Sequence, residues 1–426
     1  MTIINNPARG SWEQLLARPV FDAGQLQSVV GTVIERVRTG GDTALKALTS
    51  EYDGVTIEHL AVTPEEFAAA ESLLDDSLKA AIQVAHQNIY RFHIAQKTRE
   101  DRIETMPGVW CWRRSVAIDR VGLYIPGGNA PLFSTVLMLA VPAKIAGSRE
   151  IVLCTPPQKD GQVHPAVLFA ASVAGISHVY KTGGAQAIAA MAYGTETIPS
   201  VYKIFGPGNQ YVNCAKAMVQ QAVAIDMPAG PSEVCVLADE TANPSFVAAD
   251  LLSQAEHGAD SQVLLVTTSA ELAAKVIAEV NTQLETLGRK GFATAALEKS
   301  RAIVLDNIEE AMDLVNQYAA EHLIIAMDQF EFLADRVLNA GSVFLGHYSP
   351  ESVGDYASGT NHTLPTNAAA RAYSGVSVDS FVKKITYQQL TREGLKNIGR
   401  TVEVMARAEG LDAHANAVTI RLNELK

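Results

Sequence analysis

Apolar residues recur at helical spacing through the first quarter of the chain: Val29, Val33, Ile34 and Val37, then Leu73, Leu78, Ile82 and Val84. This spacing predicts a largely helical stretch from about Ala23 to Asp101. From Val121 the pattern changes to short β-branched runs, each followed by a turn and a helical stretch. VGLYIPGG precedes a helix over 132–146, REIVLCTPP one over 164–174, HVYKTGG one over 185–193, and VYKIFGPGN one running through Ala215 and Val219. A second series follows: SEVCVLAD, a helix over 246–256, SQVLLVTT, a helix to Leu287, RAIVLD, a helix over 308–318, the apolar run LIIA, and SVFLG. Strands alternating with helices predict parallel sheets wound on both faces. The expected fold class is therefore α/β, with two doubly wound, incomplete Rossmann-like parallel-sheet domains and small helical N- and C-terminal extensions. After Asp379 the chain reads as helices, with Leu390, Ile398, Val402 and Met405 as core positions.

The expected division is an N-terminal extension over 1–22 and a discontinuous α/β domain over 23–123 plus 233–378. A second α/β domain covers 124–232, and a C-terminal helical segment covers 379–426. A length of 426 residues exceeds what one core usually serves. With 48% apolar and 19% charged residues the chain can build such cores. A net charge of −12 argues against nucleic acid, which needs clustered Lys and Arg. Cys111, Cys154, Cys214 and Cys235 are widely spaced, without a CxxC pair. That pattern reads as reduced thiols in a cytoplasmic protein and disfavours a zinc–thiolate site. MTIINNPARGSWEQLL lacks the basic and apolar regions of a signal peptide. The stretch Leu132–Ala143, broken by Ser134, Thr135 and Pro142, is too short to span a bilayer.

Four segments concentrate polar residues in apolar surroundings. Gln254 and His257 stand three apart near a predicted helix C-terminus, a spacing that suits a metal or a dipole-capping histidine. Glu321-His322 enters the apolar strand LIIA, where both side chains need partners or work to do. Asp355, Asn361 and His362 fall in the Gly/Ser/Thr-rich loop GDYASGTNHTLPT, a composition common where a scaffold presents function. Glu409 and His414, in AEGLDAHANAV, read by spacing alone as an exposed helix-turn. Two turns echo one another, Tyr124–Ala130 (YIPGGNA) and Ile204–Gln210 (IFGPGNQ). Glycines there let backbone approach a ligand, and a following helix N-terminus favours an anion. Neither fits G-x-G-x-x-G. The residues alone thus indicate a two-unit α/β enzyme with a possible His/Asp/Gln metal site, and they name no substrate.

The stretches VGLYIPGG, KTGGAQAIAAMAYGTE, KIFGPGNQYV, AIDMPAGPSEV, DLLSQAEHGADSQ, AEHLII, AGSVFLG, SPESVGDYASGTNHTLPT and AHANAV together resemble the histidinol dehydrogenase family, in order and over nearly the whole chain. That resemblance implies oxidation of L-histidinol through an aldehyde-level intermediate to L-histidine, the final step of histidine biosynthesis, with two NAD reduced. It implies Zn2+ held by Gln254, His257, Asp355 and His414, with His322 as the base for the alcohol and Glu321 as the base that activates water. Ser232 and Glu409 match substrate contacts, and the metal ligands also meet substrate. Tyr124, Gln186 and Asn209 match NAD contacts. The resemblance further implies a homodimer in which Glu409 and His414 reach the neighbouring subunit's site. His362 lies beside the site in the motif. CWRR (111–114) reads as peripheral, and NAAARAYSGVSVD, after Thr366, is permissive in composition. The alternatives are a dehydrogenase of the same scaffold for another polar alcohol, such as a sulfonated diol, and a zinc hydrolase. A cation-recognising Glu409 disfavours the former, and the glycine turns of two α/β units disfavour the latter.

Overall fold

The computed structural model describes residues 1–18, 23–97, 100–127, 131–228 and 230–425; of the turn 124–130, positions 128–130 lie outside the described residues. Strands Arg120–Tyr124, Glu150–Thr155, His178–Lys181, Lys203–Phe205 and Ala224–Ile225 form one parallel sheet. Its spatial order runs third, second, first, fourth, fifth. The winding reverses between Arg120–Tyr124 and Lys203–Phe205, so the connections leave a crevice beyond the carboxyl ends of these strands. The second parallel sheet has six strands, in the spatial order Thr2–Asn5, Arg301–Val304, Gln262–Thr267, Glu233–Ala238, His322–Ala326 and Ser342–Leu345. Every residue of Glu233–Ala238, Gln262–Thr267 and His322–Ala326 is buried. Helices cover both faces of such strands, which is why they read as continuous apolar runs. The edge strand Thr2–Asn5 comes from the expected N-terminal extension and pairs with Arg301–Val304.

The helical first quarter consists of Ala23–Tyr52, Pro64–Ser72 and Asp76–Ile94. Gly41 breaks the first of these at φ 50°. A side chain there would run into Glu196, whose carboxylate accepts the Asp42 N–H and so caps the second half. These helices pack on the five-stranded sheet's helices, Gly184–Tyr193, Gln210–Met218, Phe133–Ala146 and Pro165–Val173. Val30, Val33, Val37 and Leu45 join one core with Ile188 and Met191, and Ile82, Ala85 and Ile89 join another with Val136 and Leu139. The apolar stripes of these helices thus face the five-stranded sheet. Among the residues expected on those stripes, Val29, Leu73 and Val84 are exposed.

Phe133–Ala146 is apolar nearly all round because it lies between the sheet and its covering helices. Pro142 inside it lacks the N–H that would bond the carbonyl of Met138. The Asn361 amide donates to that carbonyl instead, at 2.6 Å. Asn361 Oδ1 also accepts the Thr363 N–H at 3.0 Å. The residue therefore anchors the 357–366 loop to the first sheet's core, a structural duty.

The C-terminal expectation needs correction. Residues Val382–Leu390 form a strand paired antiparallel with Val109–Ala117, which also pairs with Ile103–Met106. CWRR thus lies in the central strand of a third sheet, with Trp112 stacked on Tyr387 at 5.4 Å. Helices Arg392–Ala408 and Asp412–Asn423 follow and pack chiefly on one another. Leu390, Ile398 and Val402 are half-buried and Met405 is exposed; Gly394, Gly399, Glu403, Ala406 and Ala415 are the buried positions of these helices. An arm that packs on one side only leaves its other apolar positions uncovered in the single chain. Among the described residues no helix is long and apolar enough to cross a membrane.

Candidate active site

The helix Ile308–Tyr318 ends at Ala319, which takes a left-handed backbone at φ 54°. A non-glycine residue there costs roughly 1 kcal/mol, and it turns the chain sharply so that His322 opens the strand His322–Ala326. His322 stands opposite Val234 on one side and Ser342 on the other. Residue 233 grips both expected bases through its backbone. Its N–H donates to Glu321 Oε2 at 2.9 Å, and its carbonyl accepts from His322 Nδ1 at 3.1 Å. A carbonyl only accepts, so Nδ1 carries a proton whatever the charge on the ring. Nε2 points at Asp355 Oδ1, 3.3 Å away.

The electrostatics follow from this burial. Glu321 is pushed up to about 8, chiefly because its carboxylate is desolvated. For His322 burial pulls downward, but Glu321, Asp355 and Glu351 outweigh it and raise the imidazolium to about 10. Asp355 is pushed up by burial yet held below the usual range by His322, with His362 and His257 adding to the effect. His257 is lowered, mainly by burial. A dry pocket with carboxylates and imidazoles in mutual contact is where proton transfer is best supported.

Gln254 lies in the last turn of the helix Pro244–Ala255, fully buried. His257 lies just past that helix, beyond the capping Glu256, rather than on it. Its Nδ1 is 3.4 Å from Ser232 Oγ. Asp355 belongs to a short helix, Glu351–Tyr356, instead of the loop expected there. His362 does lie in the loop: its Nδ1 donates to the Asp355 carbonyl at 2.9 Å, and its Nε2 stands 3.0 Å from Thr135 Oγ1. Thr135 opens the helix that follows the first strand of the five-stranded sheet, so this histidine ties the two sheet units together at the site.

Tyr124, Gln186 and Asn209 line one cavity of about 960 Å³ at the carboxyl ends of the five-stranded sheet, with Val29, Asp53, Pro131 and Thr155 among the other walls. Tyr124 accepts the Gly184 N–H at 3.1 Å, and burial pushes its hydroxyl up to about 12, so it stays protonated. Asn209 Oδ1 caps the helix Gln210–Met218 by accepting from Tyr211 and Val212, which leaves its amide N–H free for a ligand. The loop before it is fixed by Asp226 and Lys216. Asp226 Oδ2 accepts the Gly206 N–H at 2.8 Å, and the Lys216 ammonium donates to the Gly206 carbonyl at 2.9 Å and pairs with Asp226. Gly206, at φ 134°, presses on the Tyr124 carbonyl so closely that a Cβ would lie 2.2 Å from it.

Glu409 and His414 are exposed on the C-terminal arm, and the single chain does not gather them with the other residues. Among the described residues no three His, Cys, Asp or Glu side chains converge as a metal set. Two residues that sequence reasoning missed complete the site. Glu351 is buried beside Gln254 and His322, bonded to Ser253 Oγ, and raised to about 7 by burial. Glu233 receives Arg18 through both carboxylate oxygens, at 2.6 and 2.9 Å. Glu233 was findable: like Glu321-His322, it is a charged residue entering a strand of unbroken apolar character.

Comparison with known proteins agrees with this construction. The family model described as histidinol dehydrogenase matches residues 16–422. The histidinol dehydrogenase of Bacteroides thetaiotaomicron is 59% identical over 427 residues, covering 100% of both chains. That of Xylella fastidiosa is 55% identical over 412 residues, 96% of each. The crystal structure of histidinol dehydrogenase from Elizabethkingia anophelis superposes with a TM-score of 0.98 at 54% identity, covering 100% of this chain and 98% of that one. With the fold, the buried Glu–His pair and the sheet-end cavity all in place, a match of this extent leaves one assignment: the chain belongs to the histidinol dehydrogenase family.

Proposed function

We propose that the chain oxidises L-histidinol through an aldehyde-level intermediate to L-histidine, reducing two NAD in succession, as the closing step of histidine biosynthesis. The observation that carries this reading is the buried Glu321–His322 pair, held by residue 233 and joined through Asp355 and His362 to Thr135, on a helix of the five-stranded unit that holds the cavity. Tyr124, Gln186 and Asn209 line that cavity and would hold NAD there. With Asp355 turned to a metal ion, His322 Nε2 would lose the carboxylate that holds its proton, and the neutral ring would take the hydroxyl proton as hydride leaves the carbinol carbon for the nicotinamide. Water then adds to the aldehyde as Glu321 takes its proton. The hydrate is again an alcohol, so the same geometry serves the second hydride. Ser232 and Glu409 contact substrate, Glu409 matching its cationic nitrogens.

The donors fit a zinc ion. The Gln254 carbonyl oxygen is buried without a hydrogen-bond partner, and His257 and Asp355 are near enough to shift one another's protons. Nitrogen and oxygen ligands of this kind suit zinc and leave room for substrate. One chain falls a ligand short, and the partner subunit's His414 supplies it in a homodimer. When bound, the zinc orients the amino alcohol and polarises its oxygen. Four unpaired cysteines support a cytoplasmic setting.

Two variants test the roles. His322→Asn lowers alcohol oxidation by about 10²–10⁴ with zinc content intact, whereas Glu321→Gln depresses aldehyde oxidation more than alcohol oxidation. Full alcohol oxidation by the first, or equal losses in the second, contradicts the assignment.

A further inference from the structure

We propose that Asp53 reads the ribose nearest the adenine of the bound dinucleotide and sets a preference for NAD over its 2′-phosphorylated form; this rests on the cofactor reading above. Hydride transfer requires the nicotinamide to face His322, and His362 on Thr135 brings the His322 unit against the helix that follows the cavity-lining Pro131. The adenosine half therefore extends the other way, toward the end of the second strand, Glu150–Thr155. Doubly wound sheets place there a carboxylate that binds the ribose hydroxyls. This strand ends in Thr155-Pro156-Pro157 and supplies none.

Asp53 arrives at the same place from another segment. It follows the helix Ala23–Tyr52 and lines the cavity with Pro156, Gln158 and Lys159. Its backbone is already engaged, the N–H with the Thr49 carbonyl and the carbonyl with the Lys159 ammonium at 2.8 Å. Its carboxylate oxygen Oδ2 is shielded from solvent and has no hydrogen-bond partner. A buried acceptor without a donor is costly, and a ribose hydroxyl supplies the missing donor. Asp160 also lines the cavity but is exposed and accepts the Gln162 N–H at 2.9 Å within its own turn. A 2′-phosphate would meet these two carboxylates against the single ammonium of Lys159, whose one hydrogen bond goes to Asp53's backbone. NAD brings only hydroxyls.

The test compares wild type, Asp53→Asn and Asp160→Asn as full-length dimers, oxidising L-histidinol with NAD or NADP. Asp53→Asn should raise the KM for NAD about tenfold or more, the size expected when a charge-assisted bond is lost. It should raise kcat/KM for NADP several-fold, leave the KM for L-histidinol as in wild type, and melt within a few degrees of it. Asp160→Asn should keep the wild-type cofactor ratio. Asp53→Ser repeats the measurement should the asparagine variant misfold. A KM for NAD within twofold of wild type, with an unchanged NADP-to-NAD ratio, overturns the role of Asp53. Absence of NADH formation by wild type instead sinks the functional reading, and in that case NAD and NADP titrations followed by intrinsic fluorescence still read the Asp53 ratio.

Discussion

Lys216→Met removes one half of a buried ion pair and exposes how much the loop before Asn209 depends on it. Lys216 and Asp226 have side chains only 2% and 1% exposed, and between them they hold both backbone polar groups of Gly206. Methionine fills much the same space, so the change is electrostatic. Asp226 keeps the Gly206 and Met227 N–H groups but loses its cation, while the Gly206 carbonyl loses its donor. Lys203 also feels Asp226, but its ammonium is engaged with the Ser380 carbonyl at 2.9 Å, so it is a poor substitute. Breaking such a pair from one side costs about 3–5 kcal/mol. In a unit of roughly 200 residues each kcal/mol moves the melting point by about 2–4 °C, so a fall of roughly 6–20 °C is expected. Asn209 is three residues on from Gly206, and the KM for NAD should rise with the loosened loop. The double variant Lys216→Met with Asp226→Asn removes the stranded charge and keeps an acceptor for Gly206, so it should recover most of the loss. Scanning calorimetry and NAD kinetics on the three variants provide the readout. A single variant that melts within 2 °C of wild type, or a double variant no better than the single, refutes this reasoning.

Two further outcomes follow. His93 is buried, donates from Nδ1 to the Ile89 carbonyl at 2.8 Å, and has the Asn361 amide 3.4 Å from Nε2, an arrangement that requires the neutral ring. Burial lowers its pKa below the unfolded value, so the folded state binds fewer protons and stability falls as pH drops below about 6.5, by up to ~1.4 kcal/mol per unit. His93→Gln should flatten that acid limb in melting scans, and an unaltered limb would contradict the neutral assignment. For the dimeric site, His414→Asn and His322→Asn homodimers should each be nearly inactive. Exchanging their subunits should restore about a quarter of wild-type activity, because half the dimers are mixed and each of those has one intact site. No recovery after verified exchange places the partner subunit's His414 outside the site.

Much of the fold was legible because buried parallel strands leave unbroken apolar runs between helices, as in EVCVLA, QVLLVT and HLIIA. The third sheet was not. Val382–Leu390 is half-exposed or exposed along its whole length and carries Lys, Thr, Tyr and Gln, so neither alternation nor an apolar run marks it. The strand Thr2–Asn5 is too short for periodicity and is defined only by its distant partner Arg301–Val304. At the site, Glu321 and His322 announced themselves by charge in an apolar strand. Asp53, Lys216 and Asp226 did not, since their meaning comes from a cavity wall and a buried pairing that local spacing does not encode. The role of Asn361 emerges only beside Pro142, more than two hundred residues away in sequence.

The most direct test of the proposed chemistry is the yield of NADH per L-histidinol consumed by the zinc-loaded dimer in excess NAD. Two NADH per substrate, with L-histidine as the product, is the expected result. A yield of one with aldehyde accumulating, or none at all, would contradict two successive oxidations at a single site.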